Sequence, residues 1–212
     1  MISQANRLAE INYRIIDALG SVVEYRGIGS EQHFSRVRDF TRILCDCLAK
    51  NHPEYGLTEK EIDMISHGAS LRDMGRIAMP DSILLKPKRL TQPEFEIMKS
   101  HTMKGYDIVQ KMDMMDSKDF TKCCGDIVLY HHEKYDGKEY PKGLKGDEIP
   151  ISAQIVSLAD VYDALISEEA LLAMNFDENQ LNEIALGVEK GIDISSYYNP
   201  DIPWFEMEEI RE

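Results

Sequence analysis

The sequence predicts an all-α protein that folds as a single bundle of about seven helices. Apolar residues recur at intervals of three and four along most of the chain, which is the spacing of one helical face. Two segments open with threonine and carry glutamate three residues later, at Thr58 and at Thr91, a pattern that caps the first turn of a helix. Alternation of apolar and polar residues, which is typical of strands, is almost missing.

The negative charge of the chain is concentrated near its C-terminus. The net charge is −14, and residues 167–212 contribute −10 from 12 acidic and 2 basic side chains. Duplex nucleic acid is therefore not an expected partner, because phosphate contacts need a basic surface. No apolar run approaches the ~20 residues of a membrane-spanning helix, and the first residues lack a secretory signal. We expect a cytoplasmic protein without membrane insertion, whose cysteines at positions 45, 47, 123 and 124 are free thiols.

The first two predicted helices flank a glycine-rich break at residues 27–30. The first covers residues 4–23, and its apolar stripe consists of Ala5, Leu8, Ile11, Ile15, Leu19, Val22 and Val23. This helix can pack on its own domain or on a second copy of the chain, so core packing and a homodimer through residues 4–23 are both open. The second helix opens at His33, and its apolar face consists of Val37, Phe40, Leu44 and Leu48.

The middle of the chain predicts three further helices. One covers residues 58–75, ends at a glycine and is followed by a loop that opens at Pro80-Asp81. The next covers residues 91–112. A third ends at the adjacent histidines His131-His132.

A loop and one strongly apolar helix follow the histidine pair. The loop covers residues 133–150, and the helix covers residues 151–166 with an inner face of Ile155, Leu158, Ala159 and Tyr162. Beyond it the pattern weakens, although residues 177–187 look helical. The predicted organisation is an N-terminal dimerisation or linker helix at 1–25, a main domain at 26–166 and an acidic extension packed on that domain at 167–212.

Histidines and aspartates at helix ends predict a site. His33, His101 and the His131-His132 pair lie near predicted helix ends or on apolar faces, as do Asp73 and Asp160. Imidazole suits a transition metal, and the loop can present backbone N–H groups and lysines to an anion. A buried ionised aspartate is costly unless it is paired or bound to a metal. Asp160 is therefore either a metal ligand or a core aspartate paired with an arginine or a helix end.

In order and spacing these residues resemble the HD-GYP family, the metal-dependent phosphodiesterases that cleave cyclic di-GMP. The matching positions, over about residues 20–166, are His33, Asp73, His101, His131, His132 and Asp160. Pro80-Asp81, Leu85-Lys86-Pro87 and Gly143-Leu144-Lys145-Gly146 also fit. The resemblance implies an HD-domain-like helical bundle with two metal ions, sometimes three, usually iron or manganese. It further implies a metal-generated hydroxide that attacks phosphorus and opens cyclic di-GMP to the linear dinucleotide or GMP.

One departure from the family concerns the metal. The His of the His-Asp pair is Arg72, and a guanidinium has no lone pair to donate. By the resemblance, the lost His shares one metal with His33 and Asp160, whereas the other metal uses Asp73 and the three remaining histidines. We therefore expect one metal per chain, or two if the first site survives Arg72. Arg72 either fills the vacated site between the two aspartates or turns away as a surface arginine.

The remaining departures concern the substrate. The Gly-Tyr-Pro signature reads Glu139-Tyr140-Pro141, which brings a negative charge either to the site or to a solvated loop. Arg76 replaces a lysine and keeps a charge that can clamp phosphate. Gly29 stands where some members carry a glutamate, which argues against a third metal. The resemblance thus implies Asp73 and Arg76 as catalytic residues, and Arg76, Tyr140 and Lys145 as substrate-binding residues.

Three hypotheses about function follow. The first is a degenerate HD-GYP domain with impaired or absent hydrolysis, which acts through a protein partner as a regulatory or interaction module. The second is an active metal-dependent phosphohydrolase that uses one strong metal, with Arg72 or Arg76 in place of the missing cation. The third is a sensor that binds cyclic di-GMP without cleaving it.

Overall fold

A computed structural model describes residues 4–26, 31–112 and 118–166, and these residues form helices without a strand. The α-helices of this part are α1 (Gln4–Arg26), α2 (Glu31–Asn51), α3 (Glu59–Ala69), α4 (Asp81–Leu84), α5 (Gln92–Lys99), α6 (His101–Lys111), α7 (Lys118–Tyr130) and α8 (Ile151–Ile166). Short 3-10 turns lie at Pro53–Tyr55, Met74–Ala78 and Gly146–Glu148. The predicted all-α class is confirmed. None of the described helices combines the length and the apolar character needed to cross a membrane.

Of the described residues, those up to Lys86 and those from Leu90 to Asp160 form one compact unit, whereas residues 87–89 and 161–166 belong to a second. The candidate site described below lies entirely in the first unit. The predicted acidic extension at 167–212, with its helix at 177–187, lies outside the described residues. The predicted domain boundaries stay a prediction.

Both predicted capping boxes are present. At the start of α3, the Thr58 N–H donates to Glu61 Oε2 at 2.8 Å, and the Glu61 N–H donates to Thr58 Oγ1 at 3.3 Å. At the start of α5, the Thr91 N–H donates to Glu94 Oε2 at 2.7 Å. These bonds satisfy donors that the first turn of a helix cannot pair with its own backbone. The sequence pattern therefore fixes where two of the helices begin.

The predicted helix at residues 91–112 is wrong in one respect, because it consists of α5 and α6. The break falls at Ser100, whose N–H donates to the carbonyl of Ile97 at 3.1 Å and whose hydroxyl donates to the same oxygen at 2.5 Å. This local side-chain hydrogen bond competes with the helical ladder. As a result, His101 becomes the first residue of α6.

A second correction concerns Pro80-Asp81, which opens the single-turn helix α4 instead of a loop. The N–H groups of Ile83 and Leu84 donate to the carbonyl of Pro80 at 3.0 and 2.9 Å. Proline is tolerated here because the first positions of a helix need no N–H donor.

The core consists of two clusters of buried side chains. One cluster contains Ile16, Val23, Met64, Leu71, Met74, Val109, Phe120, Cys124 and Val128. The other contains Cys45, Ile62, Ile65, Ala69, Ile127, Ile155 and Val156. The predicted stripe of α1 is partly wrong, since Ile11, Ile15 and Val22 are exposed. Leu158, which we placed on the inner face of α8, is exposed as well.

Arg26, the last residue of α1, forms hydrogen bonds with the turn that leads into the candidate site. Arg26 donates to the carbonyls of Arg76 and Met79, both at 3.0 Å, to the carbonyl of Ile77 and to Asp81 Oδ1 at 2.7 Å. A guanidinium that satisfies several carbonyls of one turn restricts the path of that backbone. The position of Arg76 is therefore set partly by α1.

Candidate metal centre

Four side chains that can donate to a metal converge at one place. They are Asp73, His101, His131 and His132, and one donor atom from each lies within 4.8 Å of all the others. Asp73 Oδ1 is 3.5 Å from His101 Nε2 and 3.9 Å from His131 Nε2. These two imidazole nitrogens are 3.5 Å apart. The structure thus brings together the four residues that the resemblance assigned to one metal.

Backbone hydrogen bonds orient the imidazole rings. His101 Nδ1 donates to the carbonyl of Met98 at 2.8 Å, and His131 Nδ1 donates to two carbonyls of the last turn of α7, both at 3.1 Å. Because a carbonyl only accepts, each Nδ1 carries the proton and each Nε2 keeps its lone pair. His132 Nε2 is buried, and it has no hydrogen-bond partner among the described residues. Imidazole nitrogens that face one another with no N–H group between them can bind a metal ion through their lone pairs.

Burial keeps the three imidazoles of the cluster neutral. It lowers the pKa of His101 to about 4 and lowers the pKa values of the other two histidines as well. Burial acts in the opposite direction on Asp73, but the charges of Arg76 and Arg72 outweigh it and hold the pKa of that carboxyl well below its usual range. The cluster therefore offers three neutral imidazoles and one carboxylate, a donor set that suits iron or manganese.

A close approach of two backbones places Asp73 beside His101. A Cβ built at Gly75 would lie 1.8 Å from the carbonyl oxygen of His101 and 2.6 Å from the nitrogen of Gly105. Only glycine leaves room for the turn at Met74–Ala78 to lie this close to α6. Our prediction that Gly75 ends a helix is wrong, because α3 has already ended at Ala69.

Gly75→Ala is expected to separate the two backbones and to lower both stability and metal affinity. Overpacking of this kind lowers the unfolding free energy by about 1–3 kcal/mol or more, because the added Cβ collides with backbone atoms, which cannot move aside as a flexible side chain can. Thermal unfolding and a Mn²⁺ titration measure the two effects. Gly125→Ala is the matched control, since its Cβ would first meet the flexible side chain of Gln110 at 2.9 Å. Equal stability of the two variants would contradict this account of Gly75.

A second group lies beside the cluster and contains Arg72, His33 and Asp160. Arg72 is 1% exposed, so it is not the surface arginine of our second alternative. Its Nη2 is 2.8 Å from His33 Nε2, and its Nε is 2.7 Å from Asp160 Oδ1 and 3.6 Å from Asp73 Oδ2. His33 Nε2 and Asp160 Oδ1 are 3.6 Å apart. Arg72 therefore fills the place between the two aspartates, as the other alternative predicted.

The contact between Arg72 and Asp160 is an ion pair without hydrogen-bond alignment. Although Arg72 Nε and Asp160 Oδ1 are 2.7 Å apart, neither atom has a hydrogen-bond partner within the described part of the chain. Burial opposes the charged guanidinium, but Asp160, Asp73 and Glu24 outweigh it and raise the pKa of Arg72. The guanidinium thus remains a cation held mainly by charge.

Sequence reasoning missed Glu24, a buried side chain of α1 that acts on this group. Burial raises the pKa of Glu24, and the charges of Arg72 and Arg76 act against that effect. The pattern of α1 gave no signal for it, because a single glutamate among apolar and polar residues looks like a solvated position.

The predicted substrate-binding residues lie at different distances from the cluster. Arg76 donates its Nε to Asp73 Oδ1 at 2.7 Å and is 25% exposed. The ring of Tyr140 stacks on His132 with centroids 4.7 Å apart. Lys145 is exposed, and none of the contacts between described residues joins its side chain to the cluster. The structure therefore brings Arg76 and Tyr140 to the site, but it does not bring Lys145.

The loop of residues 133–150 is held by a buried carboxylate that sequence reasoning also missed. Glu133 accepts the N–H groups of Lys142 at 2.6 Å, Gly143 at 3.1 Å and Leu144 at 2.9 Å. Our expectation that the loop presents its N–H groups to an anion is therefore wrong for these three, which face the chain's own carboxylate. The only signal in the sequence was an acid directly after the histidine pair.

Glu139 forms an ion pair with a lysine of the same loop. Its Oε1 is 3.6 Å from Lys134 Nζ, and both side chains are partly exposed. An exposed pair of this kind contributes little to stability, but it offsets the negative charge of Glu139 locally. Of our two interpretations, a loop glutamate fits this contact better than a residue of the cluster.

Glu133→Gln is expected to loosen this loop. A neutral amide accepts through one oxygen only, so at least one of the three buried N–H groups loses its acceptor, at about 1–3 kcal/mol. Hydrogen exchange of the amides at residues 142–144 should accelerate, and thermal unfolding should occur at a lower temperature. Glu148→Gln is the control, because that carboxylate accepts only from the exposed Lys145 N–H at 2.9 Å. Unchanged exchange at 142–144 would show that Glu133 does not hold the loop.

Comparison with known proteins gives matches over most of the chain. A family model described as the HD domain matches residues 30–190. The cyclic di-GMP phosphodiesterase response regulator RpfG of Xanthomonas campestris pv. campestris is 37% identical over 167 residues, 79% of this chain and 41% of that protein. The cyclic di-GMP phosphodiesterase of Thermotoga maritima is 38% identical over 155 residues, 73% of this chain and 39% of that protein.

A further relative is named for another cyclic dinucleotide. The 3'3'-cGAMP-specific phosphodiesterase 2 of Vibrio cholerae serotype O1 is 39% identical over 158 residues, 74% of this chain and 28% of that protein. The chain spans about two fifths or less of the length of these curated relatives.

Proposed function

The chain belongs to the HD domain family as an HD-GYP member, and we propose that it is a degenerate signalling domain with one metal ion and impaired or absent phosphodiesterase activity. The predicted resemblance is confirmed by the family match and the named relatives. The proposal includes a regulatory role through a protein partner and a cytoplasmic location. The nucleotide it recognises is cyclic di-GMP or a related cyclic dinucleotide, because its relatives are named for these substrates.

The metal is proposed to bind at the four-donor cluster. An ion held there would supply Lewis-acid chemistry toward phosphate and water near neutral pH. Asp73 and the three imidazoles hold it, and Asp73 also orients Arg76 through the 2.7 Å hydrogen bond. Arg76, at the partly exposed edge, offers a planar guanidinium to phosphate. We propose Asp73 and Arg76 as catalytic residues, and Arg76 and Tyr140 as substrate-binding residues, whereas a role for Lys145 stays a prediction, because its exposed side chain lies apart from the cluster.

The buried position of Arg72 is the main support for the proposal that activity is reduced. A guanidinium stands where the resemblance requires a ligating imidazole, and it pairs with His33 and Asp160, two other ligands of that metal. A site that loses one of two metals loses charge stabilisation of the transition state and hydroxide formation together. We expect the rate to fall by orders of magnitude relative to members with both ions.

Cleavage of cyclic di-GMP by the Mn²⁺- or Fe²⁺-loaded chain tests this function. We expect turnover at least about 100-fold below the ordinary enzyme range of about 1–10³ s⁻¹. Turnover within that range would contradict impaired hydrolysis. Calorimetry with cyclic di-GMP then distinguishes a sensor, which binds without cleavage, from an interaction module that does not bind the nucleotide.

An active phosphohydrolase with a single metal is the second candidate, and the complete four-donor cluster favours it. In this case the buried charge of Arg72 or the more exposed charge of Arg76 stands in for the missing ion. This candidate requires that Asp73→Ala abolish turnover. Unchanged turnover in Asp73→Ala would eliminate it.

We also propose a homodimer through residues 4–23 of α1. Its exposed residues Ile11, Ile15, Ala18, Val22 and Tyr25 follow one another at spacings of four, three, four and three. This is the spacing of a two-stranded coiled coil, and the face lies apart from Ile16 and Val23, which pack in the core.

Ile15→Glu is therefore expected to convert a dimer to a monomer in sedimentation velocity, because it places a charge in the apolar seam. Ile43→Glu, a similar change at an exposed position of α2, should leave the dimer intact. A native chain that sediments as a monomer would contradict the proposal.

A further inference from the structure

We propose that the guanidinium of Arg72 takes the place of the second metal ion of the site, which would then combine one metal with one permanent protein cation. The inference rests on the proposed function, since it requires a metal at Asp73, His101, His131 and His132. It concerns a disagreement between this chain and its family. The family implies two ions, and the residues of the second position do not fit a metal here.

The geometry of the second position excludes a metal while Arg72 is in place. A metal would have to lie about 2.0–2.2 Å from both His33 Nε2 and Asp160 Oδ1. Those two donors are 3.6 Å apart, but nitrogens of Arg72 already lie 2.8 Å from the first and 2.7 Å from the second. The guanidinium donates an N–H to His33 Nε2, so the lone pair that a metal would need is occupied.

Arg72 supplies one positive charge at a position where a divalent ion would supply two. Arg72 is fully buried between Asp160 and Asp73; Asp160 would lose its arginine partner if the position were empty, whereas Asp73 would keep its 2.7 Å contact with Arg76. Uncompensated carboxylates in such a place are strongly unfavourable. Arg76 lies at the partly exposed edge of the site, where its Nε is 2.7 Å from Asp73 Oδ1.

This arrangement retains the other ligands of the lost metal. His33 and Asp160 keep donor atoms at a spacing that a single ion can bridge, and the guanidinium of Arg72 contacts both of them. Arg72→His would remove the positive charge and return an imidazole to the group. We therefore expect this single substitution to create a second metal position.

The test is the metal content of the native chain and of Arg72→His after loading with Mn²⁺ and removal of free ion. We expect one ion in the native chain with the electron paramagnetic resonance spectrum of isolated Mn²⁺. We expect two ions in Arg72→His, with a spectrum that shows exchange coupling between them. One ion in both proteins, or two in both, would overturn the role of Arg72 while leaving a metal site in place. No ion in the native chain would overturn the proposed function itself, and the inference with it.

A second comparison applies even if Arg72→His does not fold. In the native background, His33→Ala should still bind one ion, because His33 contacts Arg72 and does not hold the metal. His101→Ala should bind none. Loss of the ion in His33→Ala would contradict the inference, since His33 would then be a ligand of the one metal present.

Discussion

Arg72→Met lowers the free energy of unfolding by about 3–5 kcal/mol, because it leaves the carboxylate of Asp160 without its buried cation and removes one of the two arginines beside Asp73. For a chain of this size, such a loss corresponds to a fall in Tm of about 6–20 °C. Arg72 is the largest fully buried side chain among the described residues, and its charge is shared between Asp160 and Asp73. Methionine preserves much of the volume of the arginine side chain, so the loss of stability comes mainly from the lost positive charge and less from a cavity.

Chemical denaturation in the presence of a chelator measures this effect without a contribution from metal binding. Arg14→Met is the control, because Arg14 forms an exposed ion pair with Glu10 at 2.7 Å and should contribute at most about 1 kcal/mol. Adding Asp160→Asn to Arg72→Met should restore part of the loss, since one uncompensated carboxylate is removed. Equal stability of Arg72→Met and Arg14→Met would show that the buried cation is not needed by its partners.

The second large effect is expected at His101. His101→Ala removes one of four donors and should weaken Mn²⁺ binding by more than the about 10–100-fold that loss of an outer-shell partner costs. Calorimetric titration and elemental analysis measure it. His52→Ala is the control, because His52 is exposed and contacts Glu54 outside the cluster. Native affinity in His101→Ala would show that the cluster does not hold the ion.

Local signals predicted the features that depend on a few neighbouring residues. The capping boxes at Thr58 and Thr91 are local hydrogen-bond patterns, and both helices begin where the sequence indicated. The resemblance named the four residues that the structure brings together at one place, and their role as metal ligands stays a prediction. The chemistry of guanidinium was also enough to exclude Arg72 as a ligand.

Features that depend on tertiary packing could not be predicted from the sequence. Gly75 looked like a helix stop, whereas its lack of a side chain serves a backbone contact with residues about 30 positions away. The buried role of Glu133 depends on where its loop returns. Our prediction assigned the apolar residues of α1 to one stripe, whereas the structure has a buried and an exposed apolar face. Periodicity alone does not show which face packs in the core.

Crystallography of the Mn²⁺-loaded chain, with anomalous scattering to locate the ions, tests the central claim most directly. We expect one anomalous peak among Asp73, His101, His131 and His132, with Arg72 still in contact with His33 and Asp160. A peak between His33 and Asp160, or the absence of a peak at the four donors, would contradict it.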